Sequence, residues 1–204
     1  MNRSYYFVRH GQAVYQQKGF DRSAHPPDTD WPLSSEGVSQ AHAAAPKILR
    51  SGVRRVISSE LARARRTAEI LAEEGGLPYE HRWGSLNEIH PTTLRAAIGR
   101  TDVDSWSWWD GWLAARAVRK HVAGKTPRGW DPRPAEDRVL GVLSRLDRLD
   151  EPRVAVVCHG YWILLAALLV RGEVRYRWIA NCSVTRIDAD GRGKYRLVSF
   201  ATVS

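Results

Sequence analysis

Two histidines occupy the same local setting. Residues 4–11 read Ser-Tyr-Tyr-Phe-Val-Arg-His-Gly, and residues 153–160 read Arg-Val-Ala-Val-Val-Cys-His-Gly. Each is a short apolar run that reads as a buried strand, with His and then Gly at its carboxyl end. In open parallel α/β sheets, ligands bind at that end. A neutral imidazole is a good nucleophile, and the guanidinium of Arg9 beside His10 favours the neutral form by charge repulsion. Gly11 lets the backbone approach a ligand closely. His159, followed by Gly160, could donate a hydrogen bond to a phosphoryl oxygen. A permanent cation beside a nucleophilic ring points to chemistry on an anion, most naturally a phosphoryl group.

Two further pieces belong with these rings. Residues 58–68 read Ser-Ser-Glu-Leu-Ala-Arg-Ala-Arg-Arg-Thr-Ala, starting where a strand hands over to a helix. Unpaired backbone N–H groups at such a start suit an anion, and Arg63, one turn in, could reach the same spot. Arg65 and Arg66 point elsewhere on the helix. Glu88, in Leu86-Asn87-Glu88-Ile89, supplies what cleavage of a phosphate ester needs, a proton donor for the leaving oxygen. A cysteine phosphatase needs Cys, five residues, then Arg. Leu164 stands at that distance from Cys158 and Asp188 from Cys182, so that class is rejected.

Alternating strands and helices are expected to position these groups. The sequence predicts strands at 5–8, 53–57 and 153–157, with a short extended piece at 79–83. Ser34 or Ser35 is expected to cap a helix running to Arg50, with Gly52 as its stop. Ser58 or Ser59 is expected to cap a helix over 60–74, ended by Gly75-Gly76. An amphipathic helix is predicted over 135–149 and a buried one over 161–170. Segments 183–188 and 194–201 flank Asp190-Gly191 as a terminal hairpin. The fold class expected is therefore α/β. It would be a three-layer α/β/α sandwich with a mostly parallel central sheet and an antiparallel edge strand. All 204 residues fit one domain. Segment 89–134, with Trp106, Trp108, Trp109, Trp112 and Trp130, reads as a cap-like insertion over one end of the sheet.

Composition narrows the field. The net charge is +9, almost all of the basic excess is arginine, and no Lys/Arg block with interleaved aromatics forms a nucleic-acid stripe. Cys158 and Cys182 make no disulfide framework and are expected as reduced, buried thiols. The longest apolar run, 161–170, is too short to cross a bilayer core of ~30 Å, and residues 1–11 carry no signal-peptide core. The expectation is a soluble cytoplasmic protein acting on a small phosphorylated substrate, without nucleic-acid or membrane partners, as a monomer or homodimer. The seven histidines form no convincing metal-ligand cluster, and no cofactor is called for.

Taken together, the pieces resemble the histidine phosphatase superfamily, the phosphoglycerate-mutase-like group, from residue 5 to about 188. Arg9-His10-Gly11 is similar to the family signature. Residues 30–37, Asp-Trp-Pro-Leu-Ser-Ser-Glu-Gly, with Gln40-Ala41, are similar to its loop and first helix. Residues 58–64 with Thr67-Ala68 resemble its second motif, and Glu88 and His159-Gly160 fall where its proton donor and second histidine fall. Asn181-Cys182-Ser183 resembles the segment before its late strand. The resemblance implies a three-layer phosphoglycerate-mutase-like fold and a metal-independent phosphomonoesterase. His10 would be the nucleophile that becomes a phosphohistidine. Arg9, Arg63 and His159 would bind phosphoryl oxygens, and Glu88 would be the acid and then the base. Gly11, Gln16 and Gly160 would line the phosphate. Gln12 and Ala13 depart from the Glu or Thr of many members. Gln16 stands where an asparagine often contacts phosphate, and Ile-His-Pro-Thr-Thr follows Glu88 in place of a glycine- and tryptophan-containing stretch. The leaving group would meet the 12–30 loop and the insertion, with His90, Arg95 and Arg100 as contacts. A phosphoglycerate-type mutase and a catalytically silent phospho-ligand or protein-binding module are the alternatives.

Overall fold

The computed structural model describes residues 3–21, 24–25, 29–89, 116–117, 120, 125, 133–171 and 179–202. The insertion at 89–134 lies almost wholly outside them, as do His90, Arg95 and Arg100. Six strands form one sheet: β1 (Arg3–Arg9), β2 (Arg55–Ser58), β3 (Tyr79–Glu80), β4 (Arg153–Cys158), β5 (Val184–Ala189) and β6 (Tyr195–Thr202). Their order across the sheet is β3-β2-β4-β1-β5-β6. The first four are mutually parallel, β5 runs antiparallel to β1, and β6 pairs antiparallel with β5 to close the edge as a hairpin.

The sequence of the central strands dictates the layers. Side chains alternate across a strand, and β1 and β4 are apolar at every inner position, so both faces must be covered. Tyr5 and Phe7 of β1 join Val154, Val156 and Cys158 of β4 in one core. That core is covered by α3 (Arg133–Leu146) and α4 (Gly160–Arg171). Tyr6, Val8, Ala155 and Val157 enter the opposite core, beneath α1 (Ser35–Arg50) and α2 (Ala62–Gly75). This is the three-layer sandwich. No helix among the described residues is long and apolar enough to cross a membrane.

Several boundaries differ from expectation. Ser34 does cap α1, its Oγ accepting the Gly37 N–H at 3.1 Å. Helix α2 starts two residues later than expected, at Ala62, and neither Ser58 nor Ser59 caps it; its N-cap Leu61 has no side-chain hydrogen bond. The cap comes from across the chain, both carboxylate oxygens of Asp30 accepting the Ala62 N–H at 2.9 Å. Gly76 ends α2 in the left-handed region at φ 56°. Strand β2 is displaced to Arg55–Ser58, and the piece after α2 shrinks to Tyr79–Glu80 because Trp83 turns inward, 1% exposed, before a 3-10 turn at Gly84–Leu86. Helix α3 begins earlier and ends three residues sooner than the amphipathic pattern suggested. Both cysteines are free and buried.

Candidate active site

Strand register brings the two histidines together. Arg9 of β1 lies opposite Cys158 of β4 in the parallel ladder, so the next residue of each strand emerges side by side. The His10 N–H donates to the Cys158 carbonyl at 3.1 Å. The two imidazoles sit with centroids 5.1 Å apart, and both are buried. On the other side of β4, the Ser59 N–H donates to the Val157 carbonyl, which sets the start of the second motif beside His159.

Hydrogen bonding fixes the protonation of His10. Its Nδ1 lies 2.7 Å from the Gly11 carbonyl oxygen, which can only accept, so Nδ1 carries the hydrogen. Arg63 Nε, which can only donate, lies 3.2 Å from Nε2. Nε2 therefore presents its lone pair toward the guanidinium. Burial, then the charges of Arg63 and Arg9, hold the ring well below its ordinary value of 6.5, and the ring is neutral. Arg63 Nη2 reaches His159 Nδ1 at 3.5 Å, while His159 Nε2 lies 2.8 Å from Ser59 Oγ. His159 is likewise held down by burial first and then by Arg63.

Arg9 and Arg63 are 9% and 8% exposed, low for a side chain that is ordinarily at the surface. Arg9 Nη1 donates to the Ile179 carbonyl. Arg63 lies over the Tyr15 ring at 5.7 Å and 3.9 Å from the Asp30 carboxylate. Glu88 Oε1 accepts the Ile89 N–H at 3.0 Å and the Trp162 N–H at 3.3 Å. Burial raises its carboxyl above the ordinary 4.5, and the opposing pulls of Arg63, the Ile89 N–H, Arg9 and the Trp162 N–H do not cancel it. Its bond from the Trp162 N–H, three residues after His159, places Glu88 beside the same cluster.

Arg9, His10, Arg63, Glu88 and His159 thus converge at the carboxyl ends of β1, β2 and β4. The surroundings of four expected groups are also defined. The anion site expected on the backbone at the start of α2 is occupied by the Asp30 carboxylate. Gly11 makes room for the first turn of α1: a Cβ there would meet the Gly37 carbonyl oxygen at 2.3 Å. Gln16 has its amide oxygen tied to the Ala13 N–H at 2.8 Å and the Asn181 amide at 3.3 Å. A Cβ on Gly160 would sit 3.6 Å from Arg9 Nε, in ordinary contact, so Gly160 packs against the cation.

Other residues of the quoted motifs have contacts that the sequence does not assign. Thr67 joins two motifs: its Oγ1 donates to the Arg63 carbonyl at 2.8 Å and accepts the Gly11 N–H at 3.1 Å. The four-residue spacing from Arg63 to Thr67 on one helix was the available signal. Asn181 Nδ2 donates to the His10 carbonyl at 2.9 Å. The sequence offers Ser59 only as an alternative to Ser58 for capping, and nothing in it marks the contact of Ser59 with a histidine so distant in the chain.

The comparisons with known proteins identify the family. The model of the histidine phosphatase superfamily (branch 1) matches residues 5–202, and the chain belongs to that family. The Escherichia coli protein named "Probable phosphoglycerate mutase GpmB" is 28% identical over 191 residues, covering 90% of this chain and 83% of that one. A mycobacterial glucosyl-3-phosphoglycerate phosphatase has the same fold, with a TM-score of 0.68 at 22% identity over 99% of this chain and 100% of that one. So does a phosphoglycerate mutase from Bacillus anthracis, with a TM-score of 0.67 at 19% identity over 98% of this chain and 93% of that one. The chain is an enzyme of the phosphatase or mutase type.

Proposed function

We propose that this protein is a metal-independent phosphomonoesterase that hydrolyses a small phosphorylated metabolite through a phosphohistidine on His10. The observation that carries this is the tautomer of His10, which leaves the Nε2 lone pair facing Arg63 in a buried site. In the first step Nε2 attacks phosphorus, the bond from phosphorus to the ester oxygen breaks, and Glu88 gives that oxygen its proton. Glu88 Oε1 is taken by two N–H groups, which leaves Oε2 to carry the proton. In the second step water attacks the phosphohistidine, Glu88 takes the water's proton, phosphate leaves and Nε2 regains its lone pair. Two displacements replace one harder one.

Phosphoryl transfer spreads negative charge over the equatorial oxygens, so catalysis is mainly positioning and charge stabilisation. Arg9 and Arg63 supply permanent charge, and Arg63 turns its donors from the two imidazoles to the incoming oxygens. His159 contributes one N–H. The Ser59 hydroxyl both donates and accepts, so it serves either tautomer of His159 and lets Nδ1 present its hydrogen to a phosphoryl oxygen. The leaving group would lie against the 12–30 loop, whose Tyr15 ring stands 5.7 Å from the Arg63 guanidinium.

Rapid quench with a labelled phosphate ester should trap an acid-labile adduct at position 10. His10→Ala should abolish turnover of p-nitrophenyl phosphate while preserving the far-ultraviolet dichroism spectrum. Near-normal turnover in that variant would refute the assignment. The mutase reading is favoured by the names of two of the similar proteins. It requires that activity on a phosphoglycerate depend on a bisphosphate primer, whereas a hydrolase releases phosphate without one.

A further inference from the structure

Arg138 of α3 approaches the site from a layer that none of the motifs occupies. Its Nη2 donates to the Asn87 carbonyl at 2.7 Å. That carbonyl belongs to the peptide bond leading into Glu88. Asn87 is gripped on its other side as well. Its Oδ1 accepts the Glu60 N–H at 3.0 Å, and its Nδ2 donates to Glu60 Oε2 at 3.2 Å. The turn that carries Glu88 is therefore clamped between the start of the second motif and Arg138.

The guanidinium is costly where it lies. Arg138 is half-buried, and its Nε is buried with no hydrogen-bond partner among the described residues. A desolvated cation needs an anion close by. The charged and titratable groups around Glu88 among the described residues are Arg9 and His10 at the end of β1, Arg63 of α2, Cys158 and His159 at the end of β4, and Arg138 of α3, whose charge also holds His159 down. Bound phosphoryl oxygens would claim Arg9 and Arg63. That leaves Arg138 as the cation available to the carboxylate.

We propose that Arg138 is the positioning residue of the proton donor: it fixes the Asn87–Glu88 turn and supplies the positive charge that meets the Glu88 carboxylate once its proton has left. The proposal rests on Glu88 being the acid and then the base of the reaction. Its benefit is largest when the carboxyl has shed its proton to the leaving oxygen, so it acts on the transition state more than on bound substrate. In the second step the same cation keeps Glu88 ionised, the form that accepts a proton from water.

The test compares Arg138→Met, Arg138→Gln and Arg138→Lys with Glu88→Gln. The substrates are phenyl phosphate, a poor leaving group, and p-nitrophenyl phosphate, an activated one, each across a pH series. A cation favours the ionised carboxyl, so its removal keeps Glu88 protonated to higher pH. In the Met and Gln variants the alkaline limb for phenyl phosphate should move up by about one pH unit. Turnover of phenyl phosphate should fall on the order of tenfold, and more than that of p-nitrophenyl phosphate. Lys should return the limb to its wild-type position. An unmoved limb with equal losses on both esters, in either neutral variant, would overturn the proposal; thermal melts show which variants are folded, and the Gln and Lys pair decides if Met is not. Glu88→Gln separates the two failures. If it abolishes the limb that Arg138→Gln leaves in place, only the role of Arg138 falls. If the limb survives in Glu88→Gln, the proton-donor reading itself falls.

Discussion

At the scale of single residues, the site works by holding rings uncharged among permanent cations. His10 and His159 are both kept well below their ordinary 6.5, chiefly by burial and next by Arg63. This has a sign that can be measured. As the pH falls through 6.5, the unfolded chain protonates both imidazoles while the folded chain does not. The unfolded state then binds more protons, and stability drops with the pH. Above 6.5 neither ring contributes a slope. The melting temperature of the wild type should therefore fall on acidification below 6.5, and His159→Asn should fall less steeply. Equal slopes in the two proteins would mean that His159 is not held neutral. The identities of these residues were legible in the sequence because strand, ring and glycine recur together at two places. The tautomers were not, since they depend on Gly11, Arg63 and Ser59 atoms whose placement is set by tertiary packing.

Secondary-structure elements fix the position of those residues through close backbone contact. The loop after β1 lies directly on the first turn of α1. A Cβ at Gly37 would meet the Gln12 carbonyl oxygen at 2.0 Å and its amide nitrogen at 2.8 Å, both backbone atoms that cannot swing aside. Helix propensity alone favours alanine over glycine by about 0.8–1.0 kcal/mol. Gly141 tests that number, because it lies exposed within α3 with open space around the missing Cβ. Gly141→Ala should raise the melting temperature by roughly 2–4 °C for each kcal/mol gained. Gly37→Ala should instead lose about 1–3 kcal/mol to overpacking and lower turnover with it, because the displaced loop carries His10. A gain in stability at both sites would refute the contact. Element types were readable from apolar runs and cap residues, and Ser34 is a case that succeeded. The start of α2 failed because its cap, Asp30, arrives from a distant loop. Ser59, free of capping, bonds His159 instead.

For the molecule as a whole, alternating strands and helices predicted a layered parallel sheet, and the apolar runs identified its centre. Strand order was beyond reach of periodicity, because each central strand is apolar on both faces and none announces its neighbour. The antiparallel edge forms as the terminal hairpin expected, with β5 pairing back onto β1 as well as with β6. The charge available in the assembled site leads to a prediction at this scale. With Arg9 and Arg63 supplying positive charge, phosphate release from p-nitrophenyl phosphate should be the same with and without a chelator. Loss of activity on chelation, restored by a divalent cation, would require a different account.

Strand β4 fits between β2 and β1, yet it is made after both. On a ribosome the ring at position 10 is made long before the second ring that stands beside it in the finished sheet. Only when residues 153–159 are released and take their place between β2 and β1 does the pair exist. A chain that stops short of those residues holds only half of the pair on which the proposed reaction depends.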